Sequence, residues 1–255
     1  MRTAVKRSRD LLLDSIFPRH CPVCGHITVP GTYWHEGCLS VIPAFCGPRC
    51  RICGIPLENE EERAAGTQRQ EDEGLCPVCR SRPREFSRAF SVFPYAGPLK
   101  DALYALKFRG RQEYGKALGA LLYLYGSSAA ALWDTGLIAC VPAHPRRIRE
   151  RGYDQAALLA AAYAEEAGGT FSPDLLVRAA DTPALKGLGR QEREKILADA
   201  FRCGSVPPCG RILLIDDIYT TGSTAEAAAK VLRGSGAEEV FVLALCSAKM
   251  TEERF

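Results

Sequence analysis

The chain has 255 residues, enough for one sizeable domain and a smaller companion. Its 47% hydrophobic and 25% charged content excludes a disordered or fibrous chain. A net charge of +3 is too small to argue for nucleic acid by itself, and no apolar run reaches membrane-spanning length.

The N-terminus sets Arg2, Lys6 and Arg7 before a short apolar run that Asp14 interrupts, with no small-residue cleavage site after it. It reads as a short amphipathic helix of a cytoplasmic protein, without membrane insertion. Eight of the twelve cysteines follow between positions 21 and 79. Cys21 and Cys24, Cys50 and Cys53, and Cys76 and Cys79 are each separated by two residues, as are His35 and Cys38. This spacing lets one tight turn present two ligands to tetrahedral Zn2+. In a reducing compartment it favours metal over a disulfide knot or a redox pair.

Gly25 and Gly54 follow the second cysteine of their pairs, where such a turn often needs a positive φ. Eight ligands make two closed, structural zinc sites. Sequential pairing puts Cys21, Cys24, His35 and Cys38 in one and Cys50, Cys53, Cys76 and Cys79 in the other. Interleaved pairing is the alternative, and Cys46 is the alternative ligand to His35. The arrangement resembles a double zinc ribbon. Residues 58–74 carry no bulky apolar side chain and read as an exposed acidic loop.

From residue 86 the pattern becomes that of alternating strands and helices. Strands are expected over 86–95, 137–141, 175–178, 211–215 and 240–245. Helices are expected over 99–108, 114–125, 156–167 and 223–233. This alternation implies a parallel, doubly wound α/β sheet. Lys107, Arg109 and Arg111 bunch where the first of these helices ends. Arg146, Arg147, Arg149 and Arg151 form the densest positive charge in the chain, just after a strand end. They read either as a pyrophosphate site at the sheet edge or as an exposed or nucleic-acid-binding face. Residues 181–193 form a basic, glycine-containing loop with Lys186, Arg190 and Arg193.

Residues 211–224 organise the rest. Four apolar residues, 212–215, lead to Asp216 and Asp217, then to Thr220, Thr221, Gly222, Ser223 and Thr224. Strand, polar loop and helix is the geometry that binds phosphate, because helix N-terminal amides and hydroxyls converge on the anion. The acids suit sugar hydroxyls or a Mg2+ ion held by the ligand's own oxygens.

This segment resembles the phosphoribosyl-pyrophosphate (PRPP) loop of type I phosphoribosyltransferases. With the cysteine pairs, the 106–111 and 151–155 segments, and 187–193, the whole chain resembles the ComF family. That resemblance implies a zinc-ribbon module over 1–84 and a type I phosphoribosyltransferase-like domain over 85–255. It implies that Asp216 and Asp217 hold ribose hydroxyls of Mg2+-bound PRPP, or of another phosphorylated ribose, while Thr220, Thr221, Gly222, Ser223 and Thr224 cradle the 5′-phosphate. Arg147 and Arg151 would take pyrophosphate, and Lys186 and Arg190 would close over it. Leu185, Ile196 and Asp154 stand where the family usually has polar amides.

Two roles follow. One is an adaptor in natural competence that contacts single-stranded DNA or a helicase. The other is a transferase (a glycosyltransferase) moving ribose 5-phosphate to an amine or base, with Asp216, Asp217, Lys186 and Arg190 as its catalytic residues.

Overall fold

A computed structural model describes residues 13–14, 16–45, 47–57, 74–179, 196–197, 199–205 and 210–248. Cys46, positions 58–73 of the acidic stretch, and the basic loop with Lys186, Arg190 and Arg193 lie outside the described residues.

Two small hairpin-like turns come first. They are marked by backbone bridges between His20 and Ile27 and between Arg49 and Pro56. Gly25 and Gly54 have φ of 76° and 68°, as the cysteine spacing implied. Short helices α1 (Glu36–Leu39) and α2 (Pro77–Ser81) carry Cys38 and Cys79.

The main sheet contains β1 (Arg88–Pro94), β2 (Leu137–Cys140), β3 (Thr170–Phe171), β6 (Arg211–Tyr219) and β7 (Glu239–Ser247). Its order is β1-β7-β6-β2-β3, with every pair parallel. The helices are α3 (Gly97–Phe108), α4 (Tyr114–Ala131), α5 (Pro145–Arg151), α6 (Gln155–Ala167) and α7 (Ser223–Gly234).

Both faces of the sheet are covered, as parallel sheets require. Leu213, Ile215 and Leu243 pack with Leu103, Leu118, Leu122 and Leu159 of α3, α4 and α6. Ile212, Leu214 and Val242 pack with Ala225, Ala228, Ala229 and Leu232 of α7. Cys50, Cys53, Cys76 and Cys79 belong to this second core.

Strands β3 and β5 (Phe201–Cys203) and helix α5 are not expected from the sequence, and two expected strands differ in ways that bear on the site. The 175–178 segment supplies β4 (Leu176–Arg178), which pairs antiparallel with β5 (Phe201–Cys203) in a separate two-stranded sheet. Leu175, Leu176 and Phe201 are buried against the core, so periodicity saw a strand but not its partner. Strand β6 does not stop before the acids. It runs on to Tyr219 because β7 pairs with it as far as Ser247.

From β2 the chain moves to β3 through α5 and α6. From β6 it moves the opposite way, to β7, through α7 on the other face. The neighbours β2 and β6 therefore flank a topological switch point, where open α/β sheets place ligands.

Candidate functional site at the sheet edge and its metal clusters

The carboxyl ends of β2 and β6 bring the predicted ligand residues together. Backbone pairing continues past β2, with the Val141 N–H donating to Ile215 O at 2.9 Å. Asp216 and Asp217 follow Ile215, and both are buried. The Asp217 N–H donates to Asp216 Oδ1 at 2.8 Å. Lys107 at the end of α3 places Nζ 2.5 Å from Asp217 Oδ2. Burial, then the Asp217 charge, pushes the Asp216 carboxyl up to about 8, against the opposing pull of Lys107. The basic bunch around Lys107 is visible in the sequence, but no sequence signal assigns it to Asp217.

Residues 220–224 then turn into α7. Thr221 Oγ1 and Ser223 Oγ lie 2.9 Å apart, and the Ser223 N–H points at Thr221 Oγ1 at 3.4 Å. Gly222 is the N-cap of α7, with φ 81° and no side-chain cap. A Cβ there would stand 2.2 Å from the Tyr219 hydroxyl, so both backbone angle and space demand glycine. The start of α7 thus faces the loop with little side-chain bulk.

The arginine cluster sits on α5, one loop beyond β2. His144 caps this helix, its Nδ1 accepting from the Arg146 N–H at 3.2 Å. Arg147 and Arg151 are half-buried, whereas Arg146 and Arg149 are exposed. Arg151 bonds Gln155 Oε1 and lies over the Phe108 ring, 5.7 Å from its centroid. Arg146 pairs with Glu150 at 3.4 Å.

Asp154 has a bracing role. Its Oδ1 accepts from the Ala156 and Ala157 N–H groups at the start of α6, and Oδ2 accepts from the Ala143 N–H at 2.7 Å. Burial raises this carboxyl above its ordinary range although those three donors oppose it. An amide would offer one acceptor oxygen where two are used.

The eight expected metal ligands form two clusters, Cys21, Cys24, His35 and Cys38, and Cys50, Cys53, Cys76 and Cys79. The ligand atoms of each cluster lie within 4.8 Å of one another. This is the sequential pairing, and His35 is in the first set. His35 Nε2 donates to Ile27 O at 3.1 Å, which turns Nδ1 towards Cys24 Sγ, 3.3 Å away. Such a backbone partner fixes the tautomer a metal-binding histidine needs.

In the second set Cys53 Sγ and Cys76 Sγ are 3.6 Å apart, and all four cysteines are buried. Closed sites built from four cysteines, or from three cysteines and a histidine, are those of structural zinc. Zinc there would tie the segments together and do no chemistry.

Sequence reading missed what surrounds the second cluster. Arg84 donates from Nε to Cys79 Sγ at 3.4 Å and from Nη1 to Glu226 Oε2 at 3.1 Å. Neither Arg84 nor Glu226 carries a periodicity or spacing signal.

A double zinc ribbon domain model matches residues 12–67, stopping before Cys76 and Cys79. "DNA utilization protein YhgH" of Salmonella typhimurium is 30% identical over 236 residues, covering 86% of this chain and 98% of that protein. "Competence protein F" of Haemophilus influenzae is 28% identical over 235 residues, covering 90% of this chain and 96% of that protein. Among solved structures, orotate phosphoribosyltransferase from Aeropyrum pernix aligns with 53% of this chain and 60% of its own. Its TM-score is 0.35 at 18% identity.

Proposed function

The chain belongs to the ComF family, and from that premise we propose that its sheet-edge site binds PRPP with Mg2+ in support of DNA uptake during natural competence. The observation that carries the reading is the meeting of Asp216, Asp217 and loop 220–224 at the switch point between β2 and β6. In this reading residues 85–255 form the ligand-binding domain. The two acids accept the ribose hydroxyls, and Mg2+ supplies charge neutralisation on the ligand's own oxygens. Asp217 comes to the ligand already paired with Lys107, which offsets the repulsion between adjacent carboxylates.

Loop 220–224 takes the 5′-phosphate. Arg147 and Arg151, half-buried beside the edge, take the pyrophosphate by bidentate contacts. Asp154 keeps the Ala143 amide and the start of α6 in register next to them. Arg146, which also pairs with Glu150, and Arg149 are exposed, and in this reading they meet a polyanionic partner, single-stranded DNA or a DNA-bound helicase, in the cytoplasm. No helix among the described residues is long and apolar enough to cross a membrane.

Calorimetry with Mg2+ and PRPP tests the site. Above pH 8, where Asp216 is ionised, the parent protein should bind, and Asp216→Asn with Asp217→Asn should weaken binding at least about a hundredfold, since two charge-assisted hydrogen bonds are removed. Equal affinity in the double variant removes the acids from the site. Pyrophosphate release with a panel of bases separates the two roles: none is expected of an adaptor, and sustained release identifies a transferase.

A further inference from the structure

We infer that the Cys50, Cys53, Cys76 and Cys79 metal site is the foundation of the phosphate loop, and that Arg84 is the positioning residue that joins them. The inference rests on residues 220–224 being that loop.

The cluster is first fixed to the sheet. The Ala89 N–H of edge strand β1 donates to Ile52 O at 2.7 Å, and Arg49 Nη1 donates to Ser91 O at 2.6 Å. Gly54, between these contacts, lies so close that a Cβ would stand 2.4 Å from Ala89 O. The metal turn thus continues the sheet edge in direct backbone contact with β1.

From the cluster the buried Arg84 side chain reaches the loop's helix. The Arg84 side chain is 3% exposed, and its guanidinium spans Cys79 Sγ and Glu226 Oε2. It lies over the Phe86 ring at 5.4 Å. Glu226 is in the first turn of α7, and its Oε1 accepts from the Glu85 N–H at 3.0 Å. One carboxylate therefore clamps two consecutive residues that follow the cluster.

The remaining gap is filled by Tyr219. Its ring meets Phe86 edge-on at 6.5 Å, and its buried hydroxyl abuts Gly222. That hydroxyl has no hydrogen-bond partner among the described residues, so the loop rests on it by packing.

The charges also need one another. Glu226 places a carboxylate one turn from a phosphate site, and Arg84 neutralises it. Arg84 in turn is oriented by a sulfur that is a thiolate when it ligates metal. The first cluster makes no such contact among the described residues: Cys24 is exposed, and His35 and Cys38 are half-buried.

Coupling of this kind is reciprocal. Saturating Mg2+ and PRPP should slow the loss of one zinc equivalent to a competing chelator, by about tenfold, a typical coupling between sites. Arg84→Gln should keep two zinc equivalents by native mass spectrometry and lose that protection. Its amides at 223–226 should exchange with solvent about tenfold faster than in the parent.

Two zinc equivalents with parental exchange in Arg84→Gln overturns the inference. If that variant loses metal, Glu226→Gln removes the same bridge from the helix side, and parental exchange there overturns it equally. If the parent binds no PRPP, the ligand reading of the site fails, while the exchange measurement still decides whether cluster and loop are joined.

Discussion

Asp216→Asn should separate stability from binding. In the folded chain Asp216 holds its proton to about pH 8, against an ordinary value of 3.8 when unfolded, because it is buried beside Asp217. Between those values the folded state binds the proton and the unfolded state does not. This group's contribution is therefore fully present below pH 3.8 and is lost as pH rises to about 8. The slope is about 1.4 kcal/mol per pH unit. From pH 6 to pH 8 the parent should lose about 2–3 kcal/mol, a fall in Tm of roughly 5–10 °C for a chain of this size.

Asparagine never ionises, and its Oδ1 keeps the Asp217 N–H bond that Asp216 makes at 2.8 Å. The variant should lack that part of the slope and be the more stable protein at pH 8. Above pH 8, where the parent's Asp216 ionises, the variant's affinity for Mg2+ and PRPP should still fall about tenfold or more, because one charge-assisted bond is removed. Thermal unfolding at pH 6, 7 and 8 stays in the range where thiolate ligands hold metal. Identical slopes in parent and variant would refute the reasoning, since Asp216 would then be ionised in the folded state throughout.

Metal analysis should return two zinc equivalents per chain, falling to one in His35→Ala and staying at two in Cys46→Ala. Arg147→Ala with Arg151→Ala should weaken PRPP binding, whereas Arg146→Ala with Arg149→Ala should lower oligonucleotide affinity and reduce its salt slope by about 0.7 for each phosphate that is no longer neutralised. The opposite assignment in calorimetry and fluorescence titration would invert the two faces of α5. Gly222→Ala should abolish PRPP binding. Adding Tyr219→Phe should restore little of it, because removing the hydroxyl relieves the 2.2 Å clash but leaves the ring's Cζ at 2.8 Å and the 81° φ. Asp154→Asn should cost about 1–2 kcal/mol in chemical denaturation, since the Ala143 N–H loses its acceptor.

What was legible in the sequence was whatever local spacing dictates. Two-residue gaps between cysteines announce metal turns, because one turn must point two ligands the same way. Alternating strand and helix patterns announce a parallel sheet, and Asp216, Asp217 and the residues at 220–224 mark a candidate ligand loop by their chemistry alone.

Pairings between distant segments were not legible. The end of β6 depends on how far β7 pairs beside it, and the partner of β4 lies some 25 positions away at β5. Which metal-ligand pairs combine is decided by where the 50–53 and 76–79 turns pack on the sheet edge. Lys107 meets Asp217 across 110 positions, and Arg84 meets Glu226 across 142. No periodicity encodes such pairs, because a buried charge finds its counter-charge only after the core has brought the two segments together.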